Sequence, residues 1–387
     1  MKPIYLDHAA TTAVRPEVWE AMRPVFQERF GNPSSVHRWG REARALLETA
    51  RERVAAALGA QRREIVFMSG GTEADNLAVL GGARALGCAG TRVIVSAIEH
   101  KAVLGAAHQA AREGAELVAL AVDENGVTDL GALDHALANG RALCAVMWGN
   151  NEIGSLQPVA EIAARCLGAG VVFHSDAVQA FGRVRVRVDE VPCSTLALSG
   201  HKIGALKGVG ALFVRTGTIL EGLTHGGGQE RTLRPGTENL AGIVGLGIAA
   251  ELAVTERQSE SARLCALRDR LEHALTTQMP NVTVNGGRAP RLPHLLNISL
   301  RDVDQEALLI SLDLEGVAVS SGAACQSGSV EPSHVLTAMG RAHDREASIR
   351  LSLGHATSEQ DIMEIVERMP TVVQRLRQQH TSLLGAS

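Results

Sequence analysis

The 387-residue sequence is poor in aromatic side chains, at 3%, and it uses lysine only four times, at Lys2, Lys101, Lys202 and Lys207, among 38 basic residues. Arginine therefore carries almost all the positive charge, so each lysine stands at a position worth questioning. No run of about eighteen uncharged apolar residues occurs, and the richest stretch, residues 242–254, is broken by Glu251, which excludes a membrane-spanning helix. Six cysteines (Cys88, Cys144, Cys166, Cys193, Cys265, Cys325) lack the close paired spacing of a zinc or redox motif, so most are expected to be reduced and buried. Neither sign of charge dominates: 38 basic against 42 acidic residues leave a net charge of −4, too little for a global field that grips nucleic acid or an anionic membrane. Residues 1–7 reach an acid before an apolar core of signal-peptide length develops, and a cytoplasmic location is the expectation.

What is present is ordinary for a folded chain, with 45% hydrophobic and 21% charged residues, and the length favours two domains. Short apolar runs at 64–68, 92–97, 143–148, 171–174, 195–198 and 210–214 read as strands buried on both faces. Between them lie amphipathic stripes, such as Val14, Val18, Met22 and Phe26, or Ala43, Leu47, Ala50, Val54 and Leu58. This alternation predicts an α/β fold with a large domain on a mainly parallel sheet over residues 15–255. Beyond it, helices mixed with isolated strands at 295–299, 317–320 and 348–352 predict a smaller α+β domain, made of residues 1–14 and 256–387.

In an open parallel sheet, ligands bind beyond the carboxyl ends of the strands. Five consecutive predicted strand ends there are polar. Gly70-Gly71-Thr72 offers close backbone approach and a helix cap, either a phosphate cradle or a simple capped turn. Asp176 ends an apolar strand, where a carboxylate needs a cation or a protonated nitrogen, unless it caps a helix or joins a salt bridge. His100 is a ring-stacking or proton-transfer residue, or a structural histidine. Lys202 follows an apolar strand in a chain that otherwise prefers arginine, which points to an amine able to deprotonate and form a Schiff base; a surface lysine in a turn is the bland reading. Phosphate cradle, carboxylate, ring and lysine together compose a pyridoxal phosphate site.

In the second domain, residues 320–329 are small and flexible and contain one thiol, Cys325, which reads as an available nucleophile or as a chance cysteine in a loop. Arg350 puts a guanidinium on a predicted strand, suited to an amino-acid carboxylate or to an interdomain salt bridge.

With these motifs, and with Tyr5-Leu6-Asp7-His8-Ala9-Ala10-Thr11-Thr12 and Phe30-Gly31-Asn32-Pro33-Ser34-Ser35, the chain resembles the cysteine desulfurases of the NifS/IscS-like branch, among the fold-type I pyridoxal phosphate enzymes of class V aminotransferase type. The resemblance covers nearly the whole chain. It implies pyridoxal 5'-phosphate held covalently by Lys202, with Asp176 on the ring nitrogen, Asn151 and Gln179 toward the phenolic oxygen and His100 stacked on the ring. It implies phosphate contacts from Gly71, Thr72, Ser199 and His201, and from Thr237 of a second subunit, hence a homodimer. Asn32 and Arg350 would bind the carboxylate of L-cysteine. Cys325 would take the sulfur as a persulfide, with Lys202 moving the Cα proton, and pass it to an acceptor protein such as an iron–sulfur scaffold or sulfur carrier. The resemblance implies no metal, nucleic acid or membrane partner. Two alternatives stay open: a selenocysteine lyase or aminotransferase on the same fold, which would not need Cys325, and a non-catalytic sulfur-relay scaffold, which would not need Lys202, Asp176 and Cys325 together.

Overall fold

The computed structural model describes residues 3–138, 140–321, 333–342 and 346–384. Strand β1 (Ile4–Tyr5) opens the described chain. Seven strands then build one sheet: β2 (Ile65–Met68), β3 (Arg92–Ser96), β4 (Glu116–Leu120), β5 (Ala142–Ala145), β6 (Val172–Asp176), β7 (Thr195–Ser199) and β8 (Gly210–Val214). Their spatial order is β2-β8-β7-β6-β5-β3-β4, and β8 alone runs antiparallel to its neighbours β2 and β7. The link from β7 to β8 is too short for a crossover helix, and a parallel return needs a dozen or more residues, so β8 turns back beside β7. The sheet is mixed but mainly parallel, and the chain has an α/β fold.

The central strands are buried along their length, as continuous apolar runs require. Edge strand β4 is half exposed; residues 117–122 are an uninterrupted apolar run, yet the sequence reading passed over it. Helix Arg38–Leu58 buries Ala43, Leu47, Ala50, Val54 and Leu58, the whole expected stripe. In helix Pro16–Gln27 the expected stripe fails at its end: Phe26 is 55% exposed and Val25 is buried instead. At about 100° per residue, Val25 lies about 20° from Val18 around the helix, whereas Phe26 lies about 80° away. Both helices pack on helix Leu240–Thr255, whose Gly247 brings it against the backbone of Ala50; an added Cβ would lie 3.0 Å from Ala50 Cα.

A second core gathers Ile4 and Leu6 with side chains from Leu264 to Leu376. It is built on β9 (Val282–Val284), β10 (Leu295–Arg301), β11 (Val317–Ala318) and β12 (Glu346–Ser352), with helices Arg257–Gln278, Gln305–Leu314 and Glu359–Leu384. The antiparallel order is β12-β10-β9, while β11 pairs in parallel with β1 and stops at Ala318, two residues short of the expected strand. Among the described residues, no helix is long and apolar enough to cross a membrane.

One loop joins the sheet to Thr237. Glu230, Arg231 and Thr232 have φ of 46°, 58° and 67°, a left-handed run without glycine that costs about 1–3 kcal/mol per residue. Glu230 anchors it: its carboxylate takes both Arg51 nitrogens (2.6 and 2.8 Å) and the Phe67 amide (2.8 Å). Glu230→Ala removes the two-pronged partner of the Arg51 guanidinium and leaves it only the Ile65 carbonyl (2.9 Å) and a looser ion pair with Glu48 (3.6 Å), and denaturant unfolding should show a loss of about 3 kcal/mol. A loss below about 1 kcal/mol would mean the loop holds its strain by other contacts.

Candidate active site

The carboxyl ends of β2, β3, β5, β6 and β7 converge on a cavity of about 410 Å³. Gly71, Thr72, His100, Asn151, Asp176, Gln179, Ser199, His201, Lys202 and Arg350 all line it. Gly71 is needed where it stands, because a Cβ there would lie 2.8 Å from Val178 Cγ2. Thr72, Ser199 and His201 put hydroxyl and imidazole groups on the same wall. Asn32 and Thr237 are exposed and lie outside the cavity lining, and the Asn32 carboxamide oxygen accepts from Ser34 N (2.9 Å). Cys325 lies outside the described residues. Ser320, which precedes it, lines the cavity and exchanges backbone hydrogen bonds with Arg350.

Lys202 closes the short turn Gly200–Lys202 that follows β7. Its Nζ donates to the carbonyl oxygens of Ala9 (2.5 Å) and Ala10 (2.7 Å). Burial, helped by the nearby Arg350 guanidinium and opposed by Asp176 and Asp7, brings its pKa down to about 8. A lysine amine near neutrality exists partly as a free base, the form that attacks a carbonyl or takes a proton.

Asp176 ends β6, and its Oδ1 accepts from Val178 N (2.8 Å). Its Oδ2 has no hydrogen-bond partner among the described residues. Burial, reinforced by Asp75, raises the carboxyl to about 6, with His100 pulling the other way. Behind it His174 links Asp75 (3.2 Å) to Thr195 Oγ1 (3.0 Å), all fully buried. Burial pushes the Asp75 carboxyl well up and the His174 imidazole down to about 4, so burial disfavours the charged form of both. His100 caps helix Lys101–Arg112, its Nδ1 accepting from Ala102 N (3.2 Å), and burial lowers its pKa. The ring is therefore neutral and presents Nε2–H. Burial, with Lys202 as the second cause, takes His201 down to about 4.

Arg350 sits on β12 and spans the two cores: Nη1 donates to Asn151 O (2.9 Å) and Nη2 to Asp7 Oδ1 (2.8 Å). Its Nε is buried without a partner. The salt bridge and the cavity position coexist, so the two readings of this arginine do not compete. Sequence reasoning missed the Asp75–His174 pair, the Ala9 and Ala10 carbonyls and Asp7. Asp75 stands three residues beyond the Gly70-Gly71-Thr72 motif, and residues 7–10 stand in a motif quoted without roles.

The "Aminotransferase class-V" family profile matches residues 4–365. A cysteine desulfurase IscS of Dictyoglomus turgidum is 45% identical over 97% of this chain and 96% of its own. A NifS-like protein from Rickettsia africae, known from its X-ray structure, superposes with a TM-score of 0.88 at 34% identity, over 96% of this chain and 100% of that one. SspA, solved in complex with cysteine, superposes at 0.78 with 33% identity, over 90% of this chain and 98% of that one. An ordered match of this length, with the cavity residues in place, means that the chain belongs to the class-V aminotransferase family, among its cysteine desulfurases.

Proposed function

We propose that the protein is a pyridoxal phosphate-dependent cysteine desulfurase that converts L-cysteine to L-alanine and carries the released sulfur as a persulfide on Cys325. The observation that carries this reading is a buried amine, Lys202, with its pKa at about 8 in one cavity with Asp176 and Arg350. The relative solved with cysteine supports the substrate. The residues fit the cofactor: Gly71 keeps a wall free that any Cβ would fill, donors flank it, and the free Asp176 oxygen suits a protonated ring nitrogen. When bound, pyridoxal 5'-phosphate supplies an aldehyde for covalent capture and a protonated ring that accepts electrons.

In this reading Gly71, Thr72, Ser199 and His201 would hold the phosphate. Asp176 would keep the proton on the ring nitrogen, Asn151 and Gln179 would orient the ring, and His100 would stack against it. Arg350, with Asn32, binds the substrate carboxylate. Lys202, as free base, takes the proton from the substrate Cα. The Cys325 thiolate attacks the substrate sulfur: an S–S bond forms, the C–S bond breaks, and its electron pair stays on the carbon fragment, which is protonated to alanine. Cys325 follows Ser320 by five residues, and Ser320 lines the cavity, which supports its access to that sulfur.

A homodimer completes the reading, with Thr237 reaching the partner's phosphate. Half of the chain's ten aromatic residues, Tyr5, Trp19, Phe26, Phe30 and Trp39, are exposed in one chain, which suits burial of some of them against a second copy. Residues 15–255 would form the cofactor domain and residues 1–14 with 256–387 the smaller one, a division supported by the core that Ile4 and Leu6 share with the later helices. The persulfide would serve a cytoplasmic acceptor protein for iron–sulfur clusters or other thio-cofactors.

Purified protein given L-cysteine should release alanine and sulfide in the presence of a thiol. Lys202→Ala should lower turnover more than about a thousandfold. Cys325→Ser should keep the visible absorbance of bound cofactor and lose sulfide release; normal sulfide output from the serine variant would remove Cys325 from the scheme.

The pH dependence follows from the amine. With Lys202 at about 8 in place of 10.5, the free-base fraction rises tenfold per pH unit up to about 8 and then levels. The rate at which cofactor-free protein takes up pyridoxal phosphate, followed by absorbance, should trace that curve. A rate still climbing tenfold per unit beyond pH 9 would refute the lowered value.

Asp176 gives a stability test. Its folded pKa of about 6 exceeds the ordinary 3.8, so its contribution is fully present below about pH 3.8 and is lost as pH rises through 6. At pH 7 the buried charge is a burden. Asp176→Asn should stabilise the cofactor-free protein at pH 7 by about 1–3 kcal/mol in urea unfolding, with less gain at pH 5, while weakening the cofactor-dependent activity. Destabilisation at pH 7 would contradict the shift.

A further inference from the structure

Ile203 and Gly204, the residues after Lys202, line a second cavity of about 180 Å³. Its walls are largely apolar, with Ala13, Val14, Pro16 and Ala253 beside Ile203. Two carboxylates, of Glu256 and Glu260, and three guanidinium groups, of Arg15, Arg183 and Arg257, also line it, and they are unequally committed. Glu256 is taken by both terminal nitrogens of Arg15 (2.6 and 2.9 Å), and Glu260 by Arg263 (two contacts at 2.8 Å). The guanidinium groups of Arg183 and Arg257 make no hydrogen bond or close ion pair among the described residues. Both residues are half-buried, and at Arg183 burial disfavours the charge while Glu260 favours it.

We propose that this cavity binds a small organic carboxylate, its carboxylate between Arg183 and Arg257 and its short apolar body against Ala13, Val14, Ile203 and Ala253. A planar fork of donors matches a carboxylate, and alkyl walls favour a ligand with a hydrocarbon part over a bare oxyanion. At ~30 Å³ per liquid water, the cavity takes about six non-hydrogen atoms, the size of a four-carbon acid. Gly204 O accepts from Arg15 N (2.9 Å), so the ligand rests against the turn that carries Lys202. The site is separate from the cofactor cavity and does not depend on the desulfurase reading.

The test is calorimetric titration of holoenzyme with sodium butyrate, with 1-butanol, butylamine and sodium sulfate as comparison probes. Butyrate should bind at one site per chain, and butanol and butylamine should not. Arg183→Gln and Arg257→Gln should each weaken butyrate about tenfold or more. Ala253→Leu, which fills the apolar side, should abolish it. Arg257 begins a helix and is partly exposed, so its variant keeps the test alive if Arg183→Gln does not fold. Absence of butyrate binding at millimolar concentration, or unchanged affinity in Arg257→Gln, overturns the proposal. So does sulfate binding as tightly as butyrate, because that would make the site a plain anion hole.

Discussion

The cavity depends on how residues 4–12 are stitched between the two cores. On one side Ile4 N and Leu6 N bond Gly316 O and Ala318 O, and His8 N and Ala9 N bond Ser352. On the other, Thr12 bonds His201 O, Gln179 bonds Ala9 O, and the Ala9 and Ala10 carbonyls receive the Lys202 amine. A buried ammonium needs acceptors, and the choice of acceptor decides its acidity. A carboxylate in contact would raise the pKa by direct attraction, whereas neutral carbonyls satisfy the N–H groups and leave burial to lower it. The segment thus holds the amine in position without holding its proton.

The same economy governs the acids. Three carboxyl groups, Asp75, Glu99 and Asp176, are buried around β2, β3 and β6, and burial raises all three. Asp75 lies within hydrogen-bond distance of His174, and Glu99 accepts from Met147 N (2.7 Å), a bond that favours its charged form, while its other oxygen is buried without a partner. Asp176 lines the cavity, as Asp75 does, and keeps one oxygen without a hydrogen-bond partner among the described residues. Asp75 adds to burial in raising Asp176, so a cationic partner in the cavity is what would favour the ionised form.

Much of this was legible in the sequence, for identifiable reasons. Strands buried on both faces announce themselves as apolar runs, and the polar residues at their ends stand out by contrast, which is how Gly71, Asp176 and Lys202 could be read together. Edge strand β4 was passed over although residues 117–122 carry the same apolar signal, and Phe26 was misplaced because a strict four-residue spacing drifts off a helix face. The Asp75–His174 pair escaped because it joins residues 99 apart through a contact that no spacing encodes. The Ala9 and Ala10 contribution is made by backbone carbonyls, which every residue has, so no side-chain pattern could single them out. Asn32 and Thr237 were read from a resemblance alone, and a single chain leaves both outside its cavity.

The composition that first drew attention to Lys202 also explains Arg350. Two cationic side chains share one cavity lining, and Arg350 adds to the burial that disfavours the charge on Lys202. One must yield. A guanidinium does not deprotonate in proteins, and Arg350 is further held by Asp7 at 2.8 Å, so the adjustment falls on the amine. Exchanging the two residue types would leave a permanent charge where a free base is needed and a flexible point charge where a planar fork grips both cores. At this cavity arginine stands where charge must persist and lysine, at Lys202, where charge must be given up.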